Sequence, residues 1–142
     1  MTRVVIDTSV LVSAVISPTG PNAQIFGLIA DGKLLPDLTD AVLDEYYKVF
    51  EYKHLEHLGR RRIARLRSQL EDACIMVKSG GRLTISSHED DNRIYECAAA
   101  AKADYIVTEN TKHFKKPYKA TRIVSARQLL RLLVAQGHAM PS

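Results

Sequence analysis

"SSHEDDNRIYECAAAAKADYIVTEN", residues 86–110, decides the fold. Glu89, Asp90 and Asp91 precede an alanine-rich run, and a β-branched stretch follows it. Ser87 to Asp90 read as a helix start, because acids in a first turn complement the positive end of the helix dipole. The helix runs to about Lys102, with Ile94, Ala98 and Ala101 as its inner stripe. Asp91 stands three residues before Ile94 and shares that stripe. Asp90 borders it, and Glu96 turns away. Residues 104–108, "DYIVT", then read as a buried strand. A helix leading directly into an apolar strand is a unit of a parallel sheet.

The same alternation runs through the chain. Residues 3–6, "RVVI", form a short buried strand that ends at Asp7. "TSVLVSAVIS" (8–17) follows, until Pro18 and Gly20 mark a break. Residues 22–32 have helical spacing, with Asn22 as N-cap and Gly32 as the stop. "KLLPDLT" (33–39) is a second strand, and its Pro36 argues for a strand end or an edge. Residues 39–52 form a helix capped by Thr39 or Asp40. Its stripe is Val42, Tyr46 and Val49; Glu45 falls on it, whereas Asp44 and Lys48 point elsewhere. Residues 60–74 form a helix with the seam Ile63, Leu66, Leu70 and Ala73. "IMV" (75–77) and "RLTI" (82–85) read as strand pieces around a turn. Residues 122–124 are a last strand, and 125–137 a closing helix capped by Ser125. The pattern predicts an α/β fold: one domain over residues 1–142, an α/β/α sandwich with a central, mainly parallel, twisted sheet.

Bulk properties fit. The chain has 142 residues, 46% of them hydrophobic and 25% charged, a globular profile for one domain. No apolar run approaches the roughly 20 residues of a membrane span, and the early charge of the N-terminus is unlike a signal peptide. A cytoplasmic location is expected. Cys74 and Cys97 lack metal-ligand spacing and read as buried thiols. His54 and His57 read as a solvated helix face rather than a zinc site. The net charge of +4 suits a polyanion partner without requiring one.

In an open parallel sheet, ligands bind beyond the carboxyl ends of the strands. Asp7 follows the first strand, and Thr108, Glu109 and Asn110 follow "YIV". Asp91 and Glu45 lie in early helical turns that open at that same edge. Each acid alone also reads as a cap; the three together, each on an apolar face, point to a shared site. Converging carboxylates repel unless some take up protons or a cation joins them. A hard divalent cation, Mg²⁺ or Mn²⁺, answers that repulsion and suits phosphodiester hydrolysis.

The pieces "VVIDTSVLVSA", "LTDAVLDEYYKVF", "DDNRIYECAAAAKADYIVTEN" and "TKHF", in this order over nearly the whole chain, resemble the PIN-domain family, and within it the VapC-like toxins of toxin–antitoxin pairs. The resemblance implies a metal-dependent endoribonuclease for single-stranded RNA, leaving a 5′-phosphate and a 3′-hydroxyl. It maps the family's acids onto Asp7, Glu45 and Asp91, and a supporting hydroxyl onto Thr8 or Ser9. Thr108 belongs to the supporting set. A fourth acid usually follows the "IVT" strand; here Asn110 stands there, and Asp90 or Glu96 could supply the charge. A homodimer and an antitoxin partner are also implied.

Lys112, Lys115 and Lys116, interleaved with Phe114 and Tyr118, could line an RNA groove of charge and aromatic platforms. The run Arg60, Arg61, Arg62 and Arg65 reads better as a solvated helix face. Three alternatives stay open. They are a housekeeping RNA-processing nuclease, a nucleic-acid-binding module with a degenerate site, and an aspartyl-nucleophile phosphatase, which would want an acid where Ser9 stands.

Overall fold

The computed structural model describes residues 1–137; residues 138–142 of the expected 1–142 domain lie outside the described residues. The order is β1 (Thr2–Ile6), α1 (Thr8–Ile16), α2 (Pro21–Ala30), β2 (Leu34–Leu38), α3 (Asp40–Phe50), α4 (Lys53–Glu56), α5 (Arg60–Ala73), β3 (Ile75–Met76), α6 (Glu89–Ala101), β4 (Tyr105–Val107), β5 (Arg122–Val124) and α7 (Ala126–Ala135). The five strands are all parallel, in the order β3-β2-β1-β4-β5. Helices flank the sheet as an α/β/α sandwich, as expected.

β1 lies at the centre, and its Val4, Val5 and Ile6 are fully buried, which is why it reads as an unbroken apolar run. α6 rests on β1, β2 and β4 and also packs against α3, while α2 packs against α1, α5 and α7. Small residues Cys97, Ala98 and Ala101 let α6 approach the sheet closely; all three are buried. Tyr46 of α3 reaches the end of β1, donating its hydroxyl to the Ile6 carbonyl. Arg3 of β1 pairs with the fully buried Asp37 of β2, with Nη2 and Nε 2.5 and 3.1 Å from Oδ1.

Strand order reverses between β1 and β4. That is the switch point where the loops diverge to opposite sides and leave a crevice at the carboxyl ends of the strands. Asp7 and Thr108 are the first residues past those two strands.

Four local readings need correction. Asn22 is not an N-cap: Gly20 caps α2 and Pro21 takes its first position, where a missing N–H costs nothing. Pro36 lies inside β2 rather than at its end, but β3 pairs only from Asp37 onward, so Pro36 has one neighbouring strand, the edge-like setting proline tolerates. Residues 82–85 are not a strand; side chains of α6 take their amides instead. The "IMV" strand shrinks to Ile75–Met76. The caps Thr39 and Ser125 stand as expected, the latter in a full capping box with Gln128. Among the described residues no helix is long and apolar enough to cross a membrane.

Candidate active site

Asp7 is held by hydroxyls. Its amide donates to the Val107 carbonyl at 2.9 Å, which ties the two turns at the switch point together. Its Oδ2 accepts from Ser9 Oγ at 2.6 Å and from Thr108 Oγ1 at 2.8 Å. Those hydroxyls in turn accept from the amides of Glu109 and Asn110, at 3.0 and 2.9 Å. Both hydroxyl protons are thereby spent on Asp7, and its rotamer is fixed from two sides. Among the described residues no hydrogen bond falls on Oδ1. Asp7 is only 7% exposed, so this carboxylate is largely shielded from water.

Asp91, in the first turn of α6, is 8% exposed. Its Oδ2 is 3.4 Å from Ser86 Oγ and 3.8 Å from His113 Nδ1. Burial pushes its pKa up and the charge of Asp7 adds to the rise, while His113, His88 and Ser86 oppose it. Two nearly buried carboxylates therefore feel each other's charge. The ring of His113 stacks on His88, with centroids 4.6 Å apart and planes 16° from parallel.

A cleft of about 460 Å³ opens beside this pair, lined by Ser86, His88, Tyr95, Lys112, Lys115 and Lys116 among others. Its two lips are tied to α6. On one side Asn92 Oδ1 accepts from the amides of Ile85 and Ser86, and its Nδ2 donates to the Ser86 carbonyl. Glu96 accepts from the Leu83 amide at 2.9 Å. On the other side Tyr95 donates to the Lys116 carbonyl at 2.6 Å, and Phe114 packs against the Tyr95 ring.

The expected residues are thus only partly gathered. Ser9 and Thr108 meet Asp7, and Asp91 is near enough to feel the charge of Asp7. Ser9, not Thr8, supplies the hydroxyl; Thr8 is half-buried at the first position of α1. Glu45 is half-buried as expected but turns to Lys48, whose ammonium lies 3.0 Å away; Lys48 does not point elsewhere. Among the described residues no three His, Cys, Asp or Glu side chains close on a common point. Asn110 is exposed and, among the described residues, its hydrogen bonds run through its backbone. Asp90 is exposed.

Glu96 is not available to the site: it is buried, bound to Arg93 at 2.6 Å and to the Leu83 amide. Lys112, Lys115 and Lys116 do line the cleft, but Phe114 is buried and offers no platform. The arginine run is exposed apart from the half-buried Arg62, which reaches the Ala14 carbonyl. Sequence reasoning missed Ser86, His88, Asn92 and Tyr95. Asn92 left one signal, an amide on the helix directly after the acids.

The PIN-domain family model matches residues 3–112. An uncharacterized protein of Methanocaldococcus jannaschii is 29% identical over 103 residues, 71% of this chain; the match spans 66% of that relative's length. Two solved structures share the fold. One is VapBC2 from Rickettsia felis bound to a DNA fragment from their promoter: TM-score 0.56, 16% identity, covering 86% of this chain and 97% of that one. The other is DNA-bound VapBC from Salmonella typhimurium: TM-score 0.58, 15% identity, covering 89% and 99%.

Proposed function

The chain belongs to the PIN-domain family, whose members are generally nucleases, and from that premise we propose that it is a divalent-metal-dependent endoribonuclease for single-stranded RNA, acting in the cytoplasm as the toxin of a toxin–antitoxin pair. One observation supports the reading: Asp7 and Asp91, both nearly buried, feel each other's charge, and Asp91 neighbours Ser86 and His113 of a lysine-lined cleft. The fold's likeness to chains of VapBC structures supports an antitoxin partner, and we extend the proposal to a homodimer.

The donor set fits Mg²⁺ or Mn²⁺. Asp7 has a free oxygen, Asp91 is buried against a like charge, and an oxygen-rich rim suits a hard ion. Asp7 and Asp91 would hold it, with Glu45 as third acid, since its exposed pair with Lys48 holds it weakly. When bound, such an ion lowers the pKa of a water and neutralises charge on a phosphoryl group.

The chain's own residues do the rest. Ser9 and Thr108 fix Asp7 in one rotamer. Ser86 donates a longer hydrogen bond to Asp91, at 3.4 Å. Lys112, Lys115 and Lys116 attract the phosphates and hold the strand in register across the rim. Asn110, beside Asp7 and without a side-chain partner among the described residues, orients water or substrate through its amide.

The test is cleavage of a mixed single-stranded RNA pool with Mn²⁺ or Mg²⁺ and with EDTA. Asp7→Asn and Asp91→Asn should each lower the rate about a hundredfold or more. Cleavage that survives EDTA or either substitution overturns the proposal. Asn110 and the Glu45–Lys48 pair favour a second reading, a binding module with a degenerate site; it predicts RNA retention with no cleavage under any ion.

A further inference from the structure

We propose that His88 and His113 form a stacking platform for one unpaired nucleobase adjacent to the scissile phosphate, making the cleft selective for single-stranded RNA. The inference rests on the nuclease reading and deepens it. The two rings lie nearly parallel at 4.6 Å, the arrangement a base continues when it stacks on an aromatic face.

His88 is exposed, and among the described residues its side chain makes no hydrogen bond, although it occupies the N-cap position of α6 where a capping bond is expected. Apart from its stack on His113 and its charge interaction with Asp91, the ring is left open to a ligand. The cleft beside it has about 460 Å³, within the span of small-ligand sites. Lys112, Lys115 and Lys116 line one wall of that space and supply charge for the phosphates next to a base. A protein partner would not need this alternation of flat face and cation; a nucleotide strand does.

The platform is mounted firmly. His113 follows Asn110, whose carbonyl accepts the His113 amide at 2.9 Å. One residue on, Phe114 is buried, and Tyr95 ties down the Lys116 carbonyl. His88 is set by Ser86, whose Oγ accepts its amide at 3.1 Å. The platform stands beside Asp91, because its His113 is 3.8 Å from that carboxylate. In a duplex both faces of that base are already covered by its neighbours, so only an unpaired one can enter.

The experiment uses the full chain in EDTA, so that no cleavage intervenes, with short RNA oligonucleotides carrying 2-aminopurine at successive positions. Wild type should quench one position strongly and its neighbours little. His88→Ala should abolish that quenching and weaken binding about tenfold, whereas His88→Phe, a ring without a titrating group, should restore both. Equal quenching in wild type and His88→Ala, or failure of His88→Phe to rescue, overturns the platform. Hydrolysis in Mn²⁺ by a wild type that shows no position-specific quenching also sinks the platform and leaves the nuclease standing. Position-specific quenching without hydrolysis in any ion supports the platform and sinks the nuclease.

Discussion

Asp91→Asn should stabilise the metal-free protein while abolishing its cleavage. The carboxylate is 8% exposed and feels Asp7, and both effects raise its pKa. A raised folded pKa means the charged form is strained in the native state. Its favourable contribution is complete below the unfolded pKa of about 3.9 and is lost as pH rises through the folded value. At neutral pH, deleting the charge removes that strain. Little is lost in exchange, because Ser86 Oγ sits at 3.4 Å and an amide oxygen can accept from it equally. The net gain should be about 1 kcal/mol, typical of relieving a functional strain. With an unfolding entropy of about 0.3 kcal/mol/K for a chain this long, the melting temperature in EDTA rises about 3 °C. Mn²⁺ at a hundredfold excess over its dissociation constant should stabilise wild type by about 2.7 kcal/mol, or about 9 °C, and the variant hardly at all. Thermal melts at pH 7 and pH 4, with EDTA and with Mn²⁺, read all three effects. A variant less stable than wild type in EDTA, or one that keeps the Mn²⁺ shift, refutes the reasoning from the two carboxylates' mutual charge.

Asn92→Ala orphans the amides of Ile85 and Ser86, and should cost about 2–4 kcal/mol in urea unfolding while raising KM more than it lowers kcat. Arg3→Met strands the carboxylate of Asp37, whose pKa burial already raises against the pull of Arg3. About 2–3 kcal/mol should be lost, less than for a fully buried pair because Arg3 touches water. The loss should shrink as pH falls, since protonation relieves it; urea midpoints at pH 5 and pH 8 check the sign. Asn110→Asp should tighten Mn²⁺ binding by calorimetry, and an unchanged affinity would remove Asn110 from the site.

The parts legible in the sequence were those set by local periodicity. β1 announced itself as an apolar run because both its faces are buried, and the stripe Ile94, Ala98 and Ala101 placed Asp91 correctly. What failed was decided by distant chain. Glu96 reads as outward on an isolated helix, but residues 82–86 fold over that flank and bury it. Those residues read as a strand because their side chains alternate; their amides are claimed instead by Asn92 and Glu96, which no local pattern reveals. Glu45 was placed on its proper stripe, yet its final direction is a rotamer choice that Lys48 decides. The stack of His88 on His113 joins segments 25 residues apart and was invisible for the same reason.

The switch point and the cleft near it differ in kind. Asp7 and Thr108 sit on the paired ends of the innermost strands, so exposing their amides to exchange requires dismantling the whole core. The lysine-bearing wall of the cleft, residues 112–116, is a loop pinned at Tyr95 and Phe114. Insertions or swaps there can retune which RNA is accepted without disturbing the acids, so the chemistry is inherited while the taste for sequence is free to drift.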